Sequence, residues 1–259
     1  MTSISEKFEQ FTITSIDNLL ETIKHLKSRY SDQPIWFRGQ SNESWDPVPS
    51  IFRSVVYEKE NYISNDFYIY VNQIEANSPP KENYAAWIAL MQHYGLPTRV
   101  LDWSQSPLIA TYFAVDNFEQ NNKDACLWVL LPRKLNIAED FGEFVYPLDS
   151  YTAQMMLVRA FKKRADIEKK FENKILACHS VENNLRMYSQ QSAFTVHNST
   201  KKLTEICDRK TMFKLIIPKE YKMKFYKDLD ILGISSKYIY PDMEHVSKDI
   251  IRKYSTEMS

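Results

Sequence analysis

Arg38 raises the first question of chemistry. It stands in WFRGQ between Trp36 and Gln40, followed by one of only four glycines in 259 residues. If PIWFRGQ is an extended strand, alternation puts Trp36, Arg38 and Gln40 on one face and Ile35 and Phe37 on the other. That face offers a guanidinium able to hold a phosphate or carboxylate through two parallel hydrogen bonds. An amide and an indole flank it, and Gly39 lets a ligand or another backbone come close. The plainer alternative is a structural arginine paired with an internal carboxylate such as Asp102.

Two further stretches carry polar side chains in suggestive order. Along TRVLDWS, Thr98, Val100, Asp102 and Ser104 share one strand face, while Arg99, Leu101 and Trp103 share the other. His93 ends the preceding helix, beside a polar strand end of the kind that often carries function. A histidine in that position is more commonly a cap or a packing residue. In RMYSQQSAFTVH two glutamines lead into a strand, where amides entering a core must find partners. Gln191 shares its face with Thr195 and His197, and Gln190 with Phe194 and Val196. The pair either closes a loop or presents an amide to a sugar hydroxyl or base edge.

The elements that must position these residues are punctuated clearly. FEQFTIT reads as a short strand, and the next segment is a helix with Leu19, Leu20, Ile23 and Leu26 at helical spacing. Asp32-Gln33-Pro34 precedes the WFRGQ strand, and a second helix is expected from about Glu58 to Ala76. ENYAAWIALMQHYG is a helix that Gly95 ends in a left-handed residue and Pro97 prevents from continuing. Ser106-Pro107 supplies an N-cap and first-turn proline for PLIATYFAVDNF. ACLWVLLP is a continuous apolar run and predicts a buried strand. A long charged helical region is expected from Pro147 to about His179. FKLIIP and KYIYP read as strands, EYKMKFYKDLDILG as a helix ending at Gly233, and the tail as an amphipathic helix to Tyr254. Strands and helices mix without strict alternation, which predicts an α+β domain.

Composition excludes several classes. The chain carries 33 basic and 33 acidic residues and is 44% apolar, a globular balance without a broadly electropositive nucleic-acid surface. Its three cysteines are scattered and encode neither a zinc site nor a disulfide framework. MTSISEKFEQ lacks a signal pattern, and the longest apolar runs are too short to span a bilayer. These features predict a cytoplasmic protein with no membrane partner and no metal. No GxGxxG, P-loop, HExxH, GxSxG or EF-hand loop is present. The band KKRADIEKK, with nearly balancing acids, reads as a solvated helix face.

FRG with Gln40, Trp45 and PSIFR, then QHYGLPTRVLDWSQSPLIATYFA, then RMYSQQSAFTV, together resemble the FRG domain family, named for its Phe-Arg-Gly motif. The ending FKLIIPKEYKMKFYKDLDILGISSKYIYPDME is similar to that family's end. The resemblance covers about Trp36 to Glu244 and divides the chain into 1–33, a domain at 34–245, and a helix end at 246–259.

A further resemblance, to ADP-ribosyltransferases of the arginine–serine–glutamate type, supplies a mechanism. FRG matches their first strand, and LDWSQSPLIATYFA their second strand and its helix. The resemblance implies a split-sheet α+β core flanked by helices, with NAD as co-substrate. Arg38, Ser104 and Gln191 would form the catalytic set. Arg38, Gly39, Gln40, His93 and Tyr94 would bind the cofactor, along with Asp102, Trp103 and Gln190. The activity implied is that of a toxin or phage-defence effector acting on a protein or nucleic acid. The third element of the pattern is a glutamate, and none occupies RMYSQQSAFTVH. Gln190 or Gln191 would replace it at a loss of roughly 10²-fold in rate. The competing reading is a binding module for a nucleotide, nucleic acid or protein, without chemistry.

Overall fold

The computed structural model describes residues 8–117, 122–162, 169–181 and 185–256. Its strands are β1 (Glu9–Thr12), β2 (Trp36–Gln40), β3 (Val100–Ser104), β4 (Ala125–Leu130), β5 (Tyr146–Pro147), β6 (Ile175–His179), β7 (Ser192–His197) and β8 (Met212–Ile217). They form one mixed sheet in the order β1-β8-β4-β2-β3-β7-β6-β5. The outer pairs β1–β8 and β5–β6 are parallel, and the inner pairs are antiparallel.

The helices used below are α1 (Ile16–Arg29), α2 (Glu60–Ile74), α3 (Tyr84–His93), α4 (Pro107–Val115), α5 (Pro132–Ala138), α6 (Tyr151–Leu157), α7 (Leu185–Ser189), α8 (Leu203–Ile206), α9 (Lys222–Ile231), α10 (Ser236–Ile239) and α11 (Met243–Thr256). The α+β class expected from the sequence is observed. No helix among the described residues is long and apolar enough to cross a membrane.

Strand alternation distributes the core. From β2, β4 and β8, the residues Phe37, Leu127, Val129, Phe213 and Leu215 pack with α1, α4 and α9. From β3, β7 and β6, the residues Val100, Phe194, Val196, Leu176 and Cys178 pack with α3 and α6. The opposite sheet face carries one continuous cluster in which Trp36 and Trp128 of one half meet Leu101 and Trp103 of the other. One face is thus shared across the sheet, and the other is divided between two helical layers. The division falls between β2 and β3.

Local signals explain why the elements stop where they do. Ser15, Asn83 and Ser106 cap α1, α3 and α4 by accepting backbone N–H groups in the first turn, satisfying donors that the helix itself leaves open. Gly95 and Gly233 adopt φ of 78° and 81° after α3 and α9, the left-handed conformation that glycine takes without a Cβ penalty. All six residues of β4 are buried, as its unbroken apolar run predicts.

Three expectations are corrected. The helix expected from 147 to about 179 is instead α6, a short 3₁₀ turn and β6; residues 163–168, with most of the KKRADIEKK band, lie outside the described residues. Ile175 to Cys178 are fully buried between two core clusters, and a strand interior accommodates that better than a half-solvated helix. KYIYP is not a strand: α10 ends at Ile239, and the carbonyl of Ile239 accepts from Ser189 and Gln190. The glutamine pair does not enter a strand, because β7 begins only at Ser192.

Candidate functional site

Pairing between β2 and β3 is reduced to a single residue pair, Phe37 with Ser104. Their outer neighbours β4 and β7 pair with them along five residues each. Beyond Phe37 and Ser104 the two strands splay, and a cleft of about 800 Å³ lies along the opening.

Arg38 occupies this seam. Its Nη1 donates to the Asp102 carbonyl oxygen at 2.6 Å, a backbone acceptor beyond the last β2–β3 pair. Its buried Nε has no partner among the described atoms. Burial holds the guanidinium pKa below its ordinary value; Asp102 partly offsets this and nearby Arg53 adds to it.

Asp102 faces the cleft from β3 and is open to it. Its Oδ1 accepts from Gln92 Nε2 at 3.0 Å. Protein surrounds the carboxyl on its other sides, and that burial raises its pKa above the usual carboxylate range. Arg38, Arg186 and the Gln92 hydrogen bond oppose the shift.

Gly39 serves packing. A Cβ there would lie 1.8 Å from the Ala110 carbonyl oxygen and 2.7 Å from the Ala114 N. Backbone approach by α4 therefore requires the glycine, which is the second of the two roles its sequence position allowed. Gln40 is largely consumed by structure. Its Oε1 accepts from Trp128 Nε1 at 2.8 Å and its Nε2 donates to the Asp46 carbonyl at 3.3 Å. Ser104 donates to the Gln190 carbonyl at 2.7 Å and accepts from Ser106 N. The first bond ties the end of β3 to the residues leading into β7, and the second ties it to the N-cap of α4.

The cleft gathers Arg38, Gln40, His93, Asp102, Ser104 and Gln190 of the anticipated set, with Trp103 and the Gly39 backbone. Tyr94 and Gln191 do not line it. Tyr94 is exposed and packs edge-on with His93. Gln191 is exposed at φ 46°, and its N–H and carbonyl are committed to Tyr188 and Gln105. The left-handed turn reverses the alternation read from the sequence, so Gln190 reaches the cleft and Gln191 does not. Gln190 gives its amide N–H to the Ile239 carbonyl at 3.1 Å.

Sequence reasoning did not select Arg53, Arg186, Lys202, Trp45 and Phe52, which also line the cleft. Arg53 and Arg186 close the quoted PSIFR and open RMYSQQ, but neither has a strand pattern to aim it. The cleft therefore holds four cations, Arg38, Arg53, Arg186 and Lys202, against the carboxylates Asp46 and Asp102. Asp46 is already engaged by Lys202 Nζ at 2.6 Å and Thr204 Oγ1 at 2.8 Å. The balance favours an anionic ligand.

Residues 33–123 match the FRG domain family. No curated protein and no solved structure matches this chain. The FRG match contains β2, α2, α3, β3 and α4, and so includes Arg38, Arg53, His93 and Asp102. Arg186, Gln190 and Lys202 lie beyond it. The cleft is built jointly by the FRG segment and the chain that follows.

Proposed function

We propose that this cleft binds a nucleotide bearing a diphosphate and that the chain is an ADP-ribosyltransferase-like protein using NAD. The observation that carries the reading is the seam: two central strands part after one residue pair, and in the opening stands an arginine whose Nε has no partner among the described residues. Guanidinium groups match the geometry of phosphate oxygens, and Arg53 and Arg186 stand in the same cleft. Trp45 and Phe52 offer flat apolar surfaces on which a base can stack.

A second reading, a nucleotide-binding module without chemistry, is favoured by a separate observation. No glutamate lines the cleft among the described residues, and the Gln190 amide already donates to Ile239. One experiment separates the two. The full chain is titrated with NAD by calorimetry, and nicotinamide release is followed by chromatography. Binding with release supports the transferase reading, and binding alone leaves the module. Absence of binding at millimolar NAD rejects the transferase reading and leaves a module for another ligand. The acceptor, protein or nucleic acid, is then sought with labelled NAD.

A further inference from the structure

Resting on the NAD reading, we infer that Asp102 supplies the carboxylate that the cleft uses against the ribosyl cation, in place of the glutamate that the resemblance sets at Gln190 or Gln191.

Four observations lead there. Of the two carboxylates in the cleft, Asp46 is committed to Lys202 and Thr204, whereas Asp102 is held at Oδ1 by a single neutral amide, Gln92. Gln191 lies outside the cleft, and Gln190 carries no charge. Asp102 projects from the strand that parts from β2, so its carboxylate faces the opening itself. Its own backbone carbonyl holds Arg38. The proposed diphosphate anchor and the carboxylate are thereby linked through one residue.

The step balances as follows. The C–N bond between ribose and nicotinamide breaks, and its electron pair leaves on the nicotinamide nitrogen. The ribose carbon becomes an oxocarbenium-like cation, and the ionised Asp102 stabilises it. A water or acceptor hydroxyl adds through oxygen to that carbon, and its proton passes to the Asp102 carboxylate and on to solvent. Preorganised charge of this kind is among the largest catalytic contributions, because it acts where charge develops and costs no reorganisation. Burial makes the Asp102 carboxylate a stronger base than a surface aspartate, which suits the proton acceptance.

The test uses the full chain, NAD binding by calorimetry and steady-state nicotinamide release. Asp102→Asn should lower kcat by about 100-fold or more. Its NAD Kd should stay within about threefold, since the backbone carbonyl that holds Arg38 is unchanged. Asp102→Glu should recover part of the lost rate, which a packing role would not produce. Should Asp102→Asn unfold, Asp102→Glu and Gln92→Ala decide the matter. The first must retain more activity than any neutral replacement, and the second must lower kcat while binding NAD. Wild-type turnover matched by Asp102→Asn would overturn the role of Asp102 and leave the NAD reading standing. Wild-type protein that binds NAD without releasing nicotinamide would overturn the inference and leave the module. Wild-type protein that does not bind NAD removes the reading together with the inference.

Discussion

Arg38, on β2, and Arg99, immediately before β3, solve the problem of an enclosed guanidinium in opposite ways. Arg99 enters β3 almost fully buried. It donates from Nε and Nη2 to both carboxylate oxygens of Glu60, and from Nη1 to Asn198 Oδ1 and the His197 carbonyl. The carboxylate considered as a partner for Arg38, Asp102, offers it a backbone carbonyl rather than its side chain, and the buried arginine–carboxylate pair is formed by Arg99 with Glu60. Among the described residues Arg38 has one hydrogen bond, to a backbone carbonyl, and a buried Nε without a partner. A satisfied buried ion pair ties α2 to the sheet. An under-satisfied cation opening on a cleft is poised for a ligand anion, because desolvation leaves it with unused donors.

The contrast can be broken most forcefully at Glu60. Glu60→Ala strands the Arg99 charge, and removal of one partner from a buried pair should cost about 3–5 kcal/mol. A urea midpoint close to wild type would show that the network is dispensable. Next comes Gly39→Ala, directly beside Arg38. Here the obstruction is the α4 backbone, which cannot rotate aside, so a loss of about 3 kcal/mol is expected, at the upper end of overpacking costs. Retention of full stability would mean that α4 moves freely from β2.

His197, whose pKa responds to both arginines, sharpens the comparison through pH. Burial, with the charges of Arg38 and Arg99, lowers its pKa to about 3 from an ordinary value of 6.5. The unfolded chain therefore binds a proton that the native chain refuses. Stability from this source is intact above pH 6.5 and falls as the pH drops toward 3. The loss should reach about 2 kcal/mol by pH 5. His197→Gln should flatten that limb in a series of denaturant titrations, and an unchanged acid slope would contradict the assignment.

The smallest stability effect is expected at Arg38 itself. Arg38→Ala gives up one charge-assisted bond but also removes a desolvated cation, so about 1 kcal/mol is expected. The same change should weaken NAD binding by at least about tenfold, since a bidentate anion contact is lost. A large stability loss with unaltered ligand affinity would make Arg38 a second Arg99.

The sequence by itself determined the elements with strong local signals: capped α1, α3 and α4, the glycine stops after α3 and α9, and the unbroken apolar run of β4. It also marked Arg38, His93, Asp102 and Ser104 as neighbours, because β2, α3 and β3 carry them in recognisable patterns and the FRG match falls there. Tertiary structure decided the rest. Which carboxylate pairs with which arginine depends on where α2 lands, 39 residues before Arg99, and no periodicity encodes that. Gln190 replaced Gln191 in the cleft because one left-handed residue breaks the two-residue strand period. Arg53, Arg186 and Lys202 met only when turn, α7 and the approach to α8 were folded onto the same opening. The parting of β2 from β3 is likewise a property of two strands and the helical layers above them, since each strand alone reads as an ordinary buried strand.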